Sequence, residues 1–293
     1  MTVVRGQTPL DRLVDLLDLE KIEENIYRGK QATEALQRVF GGQVAGQALV
    51  AAGRTVPEDR PVHSLHAYFL RPGDPSIPIV YEVDRIRDGR SFTTRRVVGV
   101  QRGKAIFNLQ ASFQLVEQGL EHAAPMPDVP APEGLATLSE LMQPYAAEFD
   151  GWYTRPRPID VRYVGDPPRV AKDKGDQRPS SQVWMRADGR LPDDPLLHVC
   201  AVTFASDMTL LDSTLLAHGR AWGTGDVVGA SLDHAMWFHR PFRADEWFLY
   251  DQESPWTGAG RGLARGSFYT RDGQLVASVV QEGLVRVAGR ATP

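Results

Sequence analysis

The sequence predicts an α+β fold made of two fused copies of one domain, and three observations predict it. A helical stretch rich in small and apolar residues is followed by several strand-like segments, and that order occurs twice in the 293 residues. The strand-like segments alternate in polarity or are rich in β-branched residues and meet at glycine turns, the mark of antiparallel hairpins. A helix beside such strands has to bury its apolar stripe on them, so each copy is a layer of helix against antiparallel sheet. The chain length also suits two domains of about 150 residues.

The chain opens on a short helix capped by Thr8, with Pro9 at the first helical position where a missing N–H costs little. Residues 42–53 form the helix of the first copy, and its stripe of Val44, Ala45, Ala48, Leu49 and Ala52 is small enough for a curved sheet to wrap closely. Gly53 ends it. The run His66-Ala67-Tyr68-Phe69-Leu70-Arg71-Pro72 lies in the strands that follow, which turn at Arg102-Gly103. Residues 1–117 make up this N-terminal domain. Residues 118–157 carry Pro125, Pro127, Pro130, Pro132, Pro144 and Pro156, which disfavour regular elements and mark a linker. The second domain spans 158–293. Its helical stretch is expected over 207–219, ending on Gly219, and His234-Ala235-Met236-Trp237-Phe238-His239-Arg240-Pro241 matches the first-copy run with one insertion. Its strands turn at Asp272-Gly273.

A hydrophobic fraction of 42% and a charged fraction of 24% are those of a chain that buries a core. The net charge of -4 gives no general attraction to polyanions, so no nucleic-acid partner is expected. No apolar run approaches the ~20 residues of a membrane helix, which speaks against a membrane partner. The first ten residues lack the apolar centre of a secretory signal and the final Ala-Thr-Pro is not a peroxisomal address, so a cytoplasmic setting is expected. One cysteine excludes an intrachain disulfide and any cysteine-rich metal site. Cys200 lies in the apolar run 196–205 and reads as a small buried hydrophobe; the alternative is a nucleophile served by His198 or His218, with nothing nearby to lower its pKa.

Other patterns read as structural. His234 and His239 flank no further ligand at metal spacing beyond Asp233, and His63 and His66 lie three apart on a strand and point to opposite faces, so no metal or other cofactor is expected. The glycines at 223, 225 and 229 miss the dinucleotide fingerprint by one place and precede a strand, which makes a loop. No Gly-x-Ser-x-Gly elbow occurs. Of the basic stretch Arg85, Arg87, Arg90, Arg95, Arg96, Arg102 and Lys104, most is read as solvated hairpin surface, with Arg90 and Arg95 kept as weak candidates for a phosphate group.

Several runs occur together and in order: Leu191-Pro192-Asp193-Asp194-Pro195-Leu196-Leu197-His198, Ala205-Ser206-Asp207-Met208-Thr209-Leu210-Leu211, Ser231-Leu232-Asp233-His234-Ala235-Met236-Trp237-Phe238-His239-Arg240-Pro241, Gly266-Ser267-Phe268-Tyr269 and Gln281-Glu282-Gly283. With Phe40-Gly41-Gly42-Gln43 and Arg87-Asp88-Gly89-Arg90-Ser91-Phe92 of the first half, they make the chain resemble the acyl-CoA thioesterase II family over nearly its whole length. The resemblance implies a double hotdog fold and hydrolysis of acyl-CoA to fatty acid and CoA, with acyl-CoA as the small-molecule partner. It also implies that an aspartate, a hydroxyl residue and a glutamine hold the attacking water, which fall on Asp207, Ser231 and Gln281. Serine at 231 stands where the family is expected to have threonine more often, keeping the hydroxyl without the stiffening methyl.

These residue types suit the reaction. A thiolate leaves at a pKa of about 8.5, so the demands are on activating water and holding the oxyanion. Asp207 would be the general base, and Gly41, Gly42 and Gln43 at a helix N-terminus would offer free amides to the thioester oxygen. On local pattern alone Asp207 reads first as a helix N-cap. Aligned on the second copy, the first has Gly41 opposite Asp207, His63 opposite Ser231 and Ala111 opposite Gln281, so one productive site per chain is expected. Two rivals use the same fold: an enoyl-CoA hydratase, which would release no thiol, and a non-catalytic acyl-CoA binding module. Long sheet edges to cover lead to an expected homodimer or homotetramer.

Overall fold

The computed structural model describes residues 7–32 and 38–289. Its frame is one antiparallel sheet running through both halves of the chain. The first half supplies β1 (Glu20–Glu23), β2 (Ile26–Arg28), β3 (Val62–Phe69), β4 (Val80–Asp88), β5 (Phe92–Gln101) and β6 (Lys104–Gln114). The second supplies β7 (Ile159–Val164), β8 (Ser180–Ala187), β9 (Val227–Ser231), β10 (Asp233–Phe238), β11 (Phe248–Gly258), β12 (Arg261–Thr270) and β13 (Leu275–Val287). The strand order is β1-β2-β4-β5-β6-β3-β10-β13-β12-β11-β8-β7, with β9 also on β13. β3 and β10 join the halves, Leu65 facing Met236 and Ala67 facing His234 across the seam. Those two strands are the runs that match in sequence, so the chain has an internal pseudo-twofold at this seam.

Helix α1 (Pro9–Leu17) starts at Thr8, whose side chain accepts from the Asp11 amide while Asp11 returns a bond to the Thr8 amide. Helix α2 (Gly41–Gly53) packs on β4, β5 and β6 with nearly every side chain buried, as its small apolar stripe requires. Its partner is α5 (Pro195–Ser206), which runs antiparallel to it: Gly42 faces the Phe204 carbonyl, Gly46 the Cys200 carbonyl and Gly53 the Leu196 side chain. A Cβ at Gly42 would stand 2.4 Å from that carbonyl oxygen, so this approach requires glycine. Each half thus wraps a sheet about a helix, and the fold is a double hotdog.

The second helix differs from expectation. It occupies Pro195–Ser206, capped by Asp194 through bonds from the Leu196 and Leu197 amides, with Pro195 at its first position. Residues 207–219 are instead turns around the short α6 (Asp212–Leu216). Asp207 is therefore the C-cap of α5, not the N-cap of a following helix. Cys200 is fully buried on α5 and burial pushes its thiol well above the ordinary range, as a packing role requires.

The proline-rich segment 118–157 also carries more structure than its prolines suggest. It holds three 3-10 turns and α3 (Leu138–Met142), whose Leu138 and Met142 are buried, and the Pro130 carbonyl accepts from the Trp184 indole. Pro132 and Pro144 each sit in the first turn of such an element, where proline starts a helix instead of breaking it. Before β7, α3 lies against that strand, and α4 (Pro168–Lys174) follows it. No helix among the described residues is long and apolar enough to cross a membrane.

At the start of α6 the buried Asp212 accepts from the Tyr163 hydroxyl at 2.9 Å and from Trp222, yet burial outweighs both donors and pushes its carboxyl up to about 7. The folded chain thus holds this proton more tightly than the unfolded chain. Its contribution is fully present below pH ~4 and is lost as pH rises toward about 7. Urea unfolding across that window should show the native chain losing roughly 4 kcal/mol relative to Asp212→Asn; the same pH dependence in both chains would contradict this.

Candidate active site

The C-terminal turn of α5 delivers Asp207 to the seam between the halves. Gln281 donates from Nε2 to Asp207 Oδ1 at 2.6 Å and to Ser231 Oγ at 2.8 Å, and the Ser231 hydroxyl donates to the same Asp207 oxygen at 3.2 Å. The strands explain the meeting. Ser231 ends β9 opposite Gly283 on β13, and Gln281 lies two residues earlier on β13, on the same face. Gln281 is wholly buried, whereas Asp207 and Ser231 keep partial access.

Burial raises the Asp207 carboxyl above its ordinary value. Opposing it, the neighbouring His234, the bonds from Gln281 and Ser231, and the Gly42 backbone N–H favour the ionised form. That amide belongs to α2. The helix begins at Gly41 with no side-chain cap from Phe40, so the first-turn amides of Gly41, Gly42 and Gln43 lack intrahelical acceptors. Gly41 sits directly on the carboxylate: a Cβ there would lie 2.6 Å from Asp207 Oδ2 and 3.0 Å from the Phe69 ring. The Gln43 side chain turns away, its Nε2 reaching the Lys30 carbonyl at 3.4 Å. A carboxylate, a hydroxyl and an amide around one point, beside a helix N-terminus, can hold and deprotonate a water and receive a developing negative charge.

Known proteins bear on this geometry. A family model described as acyl-CoA thioesterase matches residues 157–284, and one for the acyl-CoA thioesterase N-terminal domain matches residues 31–114. Acyl-coenzyme A thioesterase 8 of Mus musculus is 42% identical over 94% of this chain and 89% of its own length. This chain belongs to the acyl-CoA thioesterase family. Acyl-CoA thioesterase 2 of Haemophilus influenzae is 38% identical over 94% of this chain and 98% of its own. Among solved structures, an acyl-CoA thioesterase II of Mycobacterium marinum is 45% identical with a TM-score of 0.78, covering 96% of this chain and 99% of that one. As a member of this family the chain is a thioester hydrolase.

The duplicated sheet gives this chain two pseudo-equivalent positions, and the strand registers locate the second. Arg95 pairs with Ala111 as Ala264 pairs with Gln281, so Ala111 is the counterpart of Gln281, as expected. Val62, opposite Phe113, is the counterpart of Ser231, one residue from the expected His63. The C-cap of α2 is Arg54, which makes Arg54 the counterpart of Asp207 in place of Gly41. Arg54, Val62 and Ala111 supply neither acid, hydroxyl nor carboxamide.

Arg95 is a further correction. It is 1% exposed, and its guanidinium donates to Thr55 Oγ1, the Thr55 carbonyl and Asp88. Its guanidinium is committed to these partners and is not available to a phosphate. Arg90 is exposed at the β4–β5 turn, its carbonyl accepting from Arg60. Both lie toward the C-terminal end of α2, about 18 Å along the helix from Gly41. The histidines are held separately: His63 on Ser112, His66 edge-on to Trp237, and His239 on Ser278. His234, read from sequence as structural, is buried beside Gln281 with its Nε2 2.8 Å from Ser206 Oγ. The one local signal in the sequence for this placement was its position next to Asp233, which is a weak one.

Replacing Gly41 by alanine should displace the Asp207 carboxylate without unfolding the chain. Thiol release should fall roughly 10- to 100-fold, the scale of an ångström-sized misplacement, with an unchanged circular dichroism spectrum; full activity would show that the close approach is dispensable.

Proposed function

We propose that the chain hydrolyses fatty acyl-CoA to free fatty acid and CoA by direct attack of a water held by Asp207, Ser231 and Gln281. The observation that carries the reading is the mutual hydrogen bonding of these three side chains at the open end of α2. Asp207 takes a proton from the water as its oxygen adds to the thioester carbon. Ser231 and Gln281 fix the direction of the water's lone pair, and the carbonyl oxygen gains its charge near the amides of Gly41, Gly42 and Gln43. Collapse of the tetrahedral intermediate breaks the C–S bond, and the proton held by Asp207 passes to the departing thiolate. No covalent enzyme intermediate is required. The exposed rings of Tyr68 and Trp256 support self-association into a dimer or tetramer as part of the same reading.

Asp207→Asn tests the base directly. Thiol release should fall about 10² to 10⁴-fold, while thermal stability at neutral pH holds or rises, because burial opposes the charge that is removed. A fully active variant refutes the assignment, and hydration of an enoyl-CoA without thiol release would identify the hydratase.

Because the base has to be ionised and burial raises its pKa, kcat/KM should fall as pH drops through a value above the ordinary carboxylate range. Ser231→Ala and Gln281→Ala each remove a bond that favours the ionised form. In both variants the acid limb of the pH profile should move to higher pH; a limb that stays in place would separate it from Asp207.

A further inference from the structure

His234 on β10 lies one residue beyond the Ala235–Val280 pair, and Gln281 lies one residue beyond it on β13, so the two are cross-strand neighbours on the buried face. Gln281 directs its Nε2 to Asp207 and Ser231, which leaves its Oε1 buried with no direct bond of its own. The Nδ1 of His234 is buried in the same condition, while its Nε2 stands 2.8 Å from Ser206 Oγ. Buried donors and acceptors are nearly always paired, and these two atoms are carried by adjacent side chains that interact with each other.

We propose that His234 is a positioning residue that fixes which way the Gln281 carboxamide points. The inference rests on the water-holding reading above, since that hold is what His234 secures. In the neutral ring one nitrogen donates and the other accepts. With the proton on Nδ1, the ring donates to Gln281 Oε1 and Nε2 accepts from the Ser206 hydroxyl, which turns to it from the Thr203 carbonyl 2.9 Å away. With the proton on Nε2, Nδ1 would face Oε1 as acceptor against acceptor. The amide would then turn over and set its oxygen against the Asp207 carboxylate, losing the 2.6 Å and 2.8 Å bonds together. Ser206 is the last residue of α5 and Asp207 its cap, so one helix end carries the base and also holds the ring that orients its partner.

The test is a set of purified variants assayed for thiol release. His234→Phe should lower kcat about 10- to 100-fold with KM within about twofold, since the loss is one of positioning. His234→Asn, whose amide nitrogen reaches the Nδ1 position, should stay within about fivefold of the native chain, and His234→Gln, which reaches the Nε2 position, should not. In a Gln281→Ala background, His234→Phe should add less than about twofold, because the group it positions is gone. Losses that multiply in the double variant, a fully active His234→Phe, or an Asn variant no better than Gln would overturn the proposal. Should His234→Phe not fold by circular dichroism, the Asn and Gln pair decides. If Gln281→Ala or Asp207→Asn is itself fully active, the water-holding reading falls; if both are inactive and the His234 variants behave otherwise than stated, only the role of His234 falls.

Discussion

The close antiparallel contact of α2 and α5 is the constraint on which the rest of the molecule depends. It is possible only because Gly42, Gly46 and Gly53 present no side chain to the facing helix, so that backbone meets backbone at Phe204 and Cys200. Two helices packed this way lie end against end, and the open N-terminus of one rests on the C-cap of the other. The sheet then has to bend around the pair, and the β3–β10 seam closes it.

The electrostatic character of the site follows from that contact. A carboxylate at a helix C-terminus opposes the helix dipole, while one at an N-terminus is favoured by it. Asp207 experiences both, as the cap of α5 and as the neighbour of the first turn of α2. Burial adds a further cost to its charge, and the bonds from Gln281 and Ser231 offset part of it. A carboxylate in this balance is a stronger base than an exposed aspartate, yet its charge is retained by specific donors.

Duplication gives the fold a second, pseudo-equivalent position that carries different residues. At the far end of the helix pair the same geometry recurs, but Arg54 caps α2 and Leu196 fills the space beside Gly53. The buried Arg95 guanidinium beside it is tied to Thr55 and Asp88. A buried guanidinium with several acceptors ties the end of α2 to the β4–β5 hairpin.

The sequence by itself determined the duplication, the α+β layering, the hairpin turns and the small-residue face of α2, because each is a local pattern of polarity, size or turn chemistry. It also marked Asp207, Ser231 and Gln281, though through resemblance to a family and not through spacing. The position of α5 was legible in Asp194-Pro195, a capping pair that carried a clearer signal than the small residues around Asp207. Only the tertiary structure decided that Asp207 meets the N-terminus of α2, that Arg95 is buried, and that His234 stands beside Gln281. Those three facts depend on which strands pair and which helix ends meet, relations between residues as distant in the chain as Gly41 and Asp207, and no local pattern encodes them.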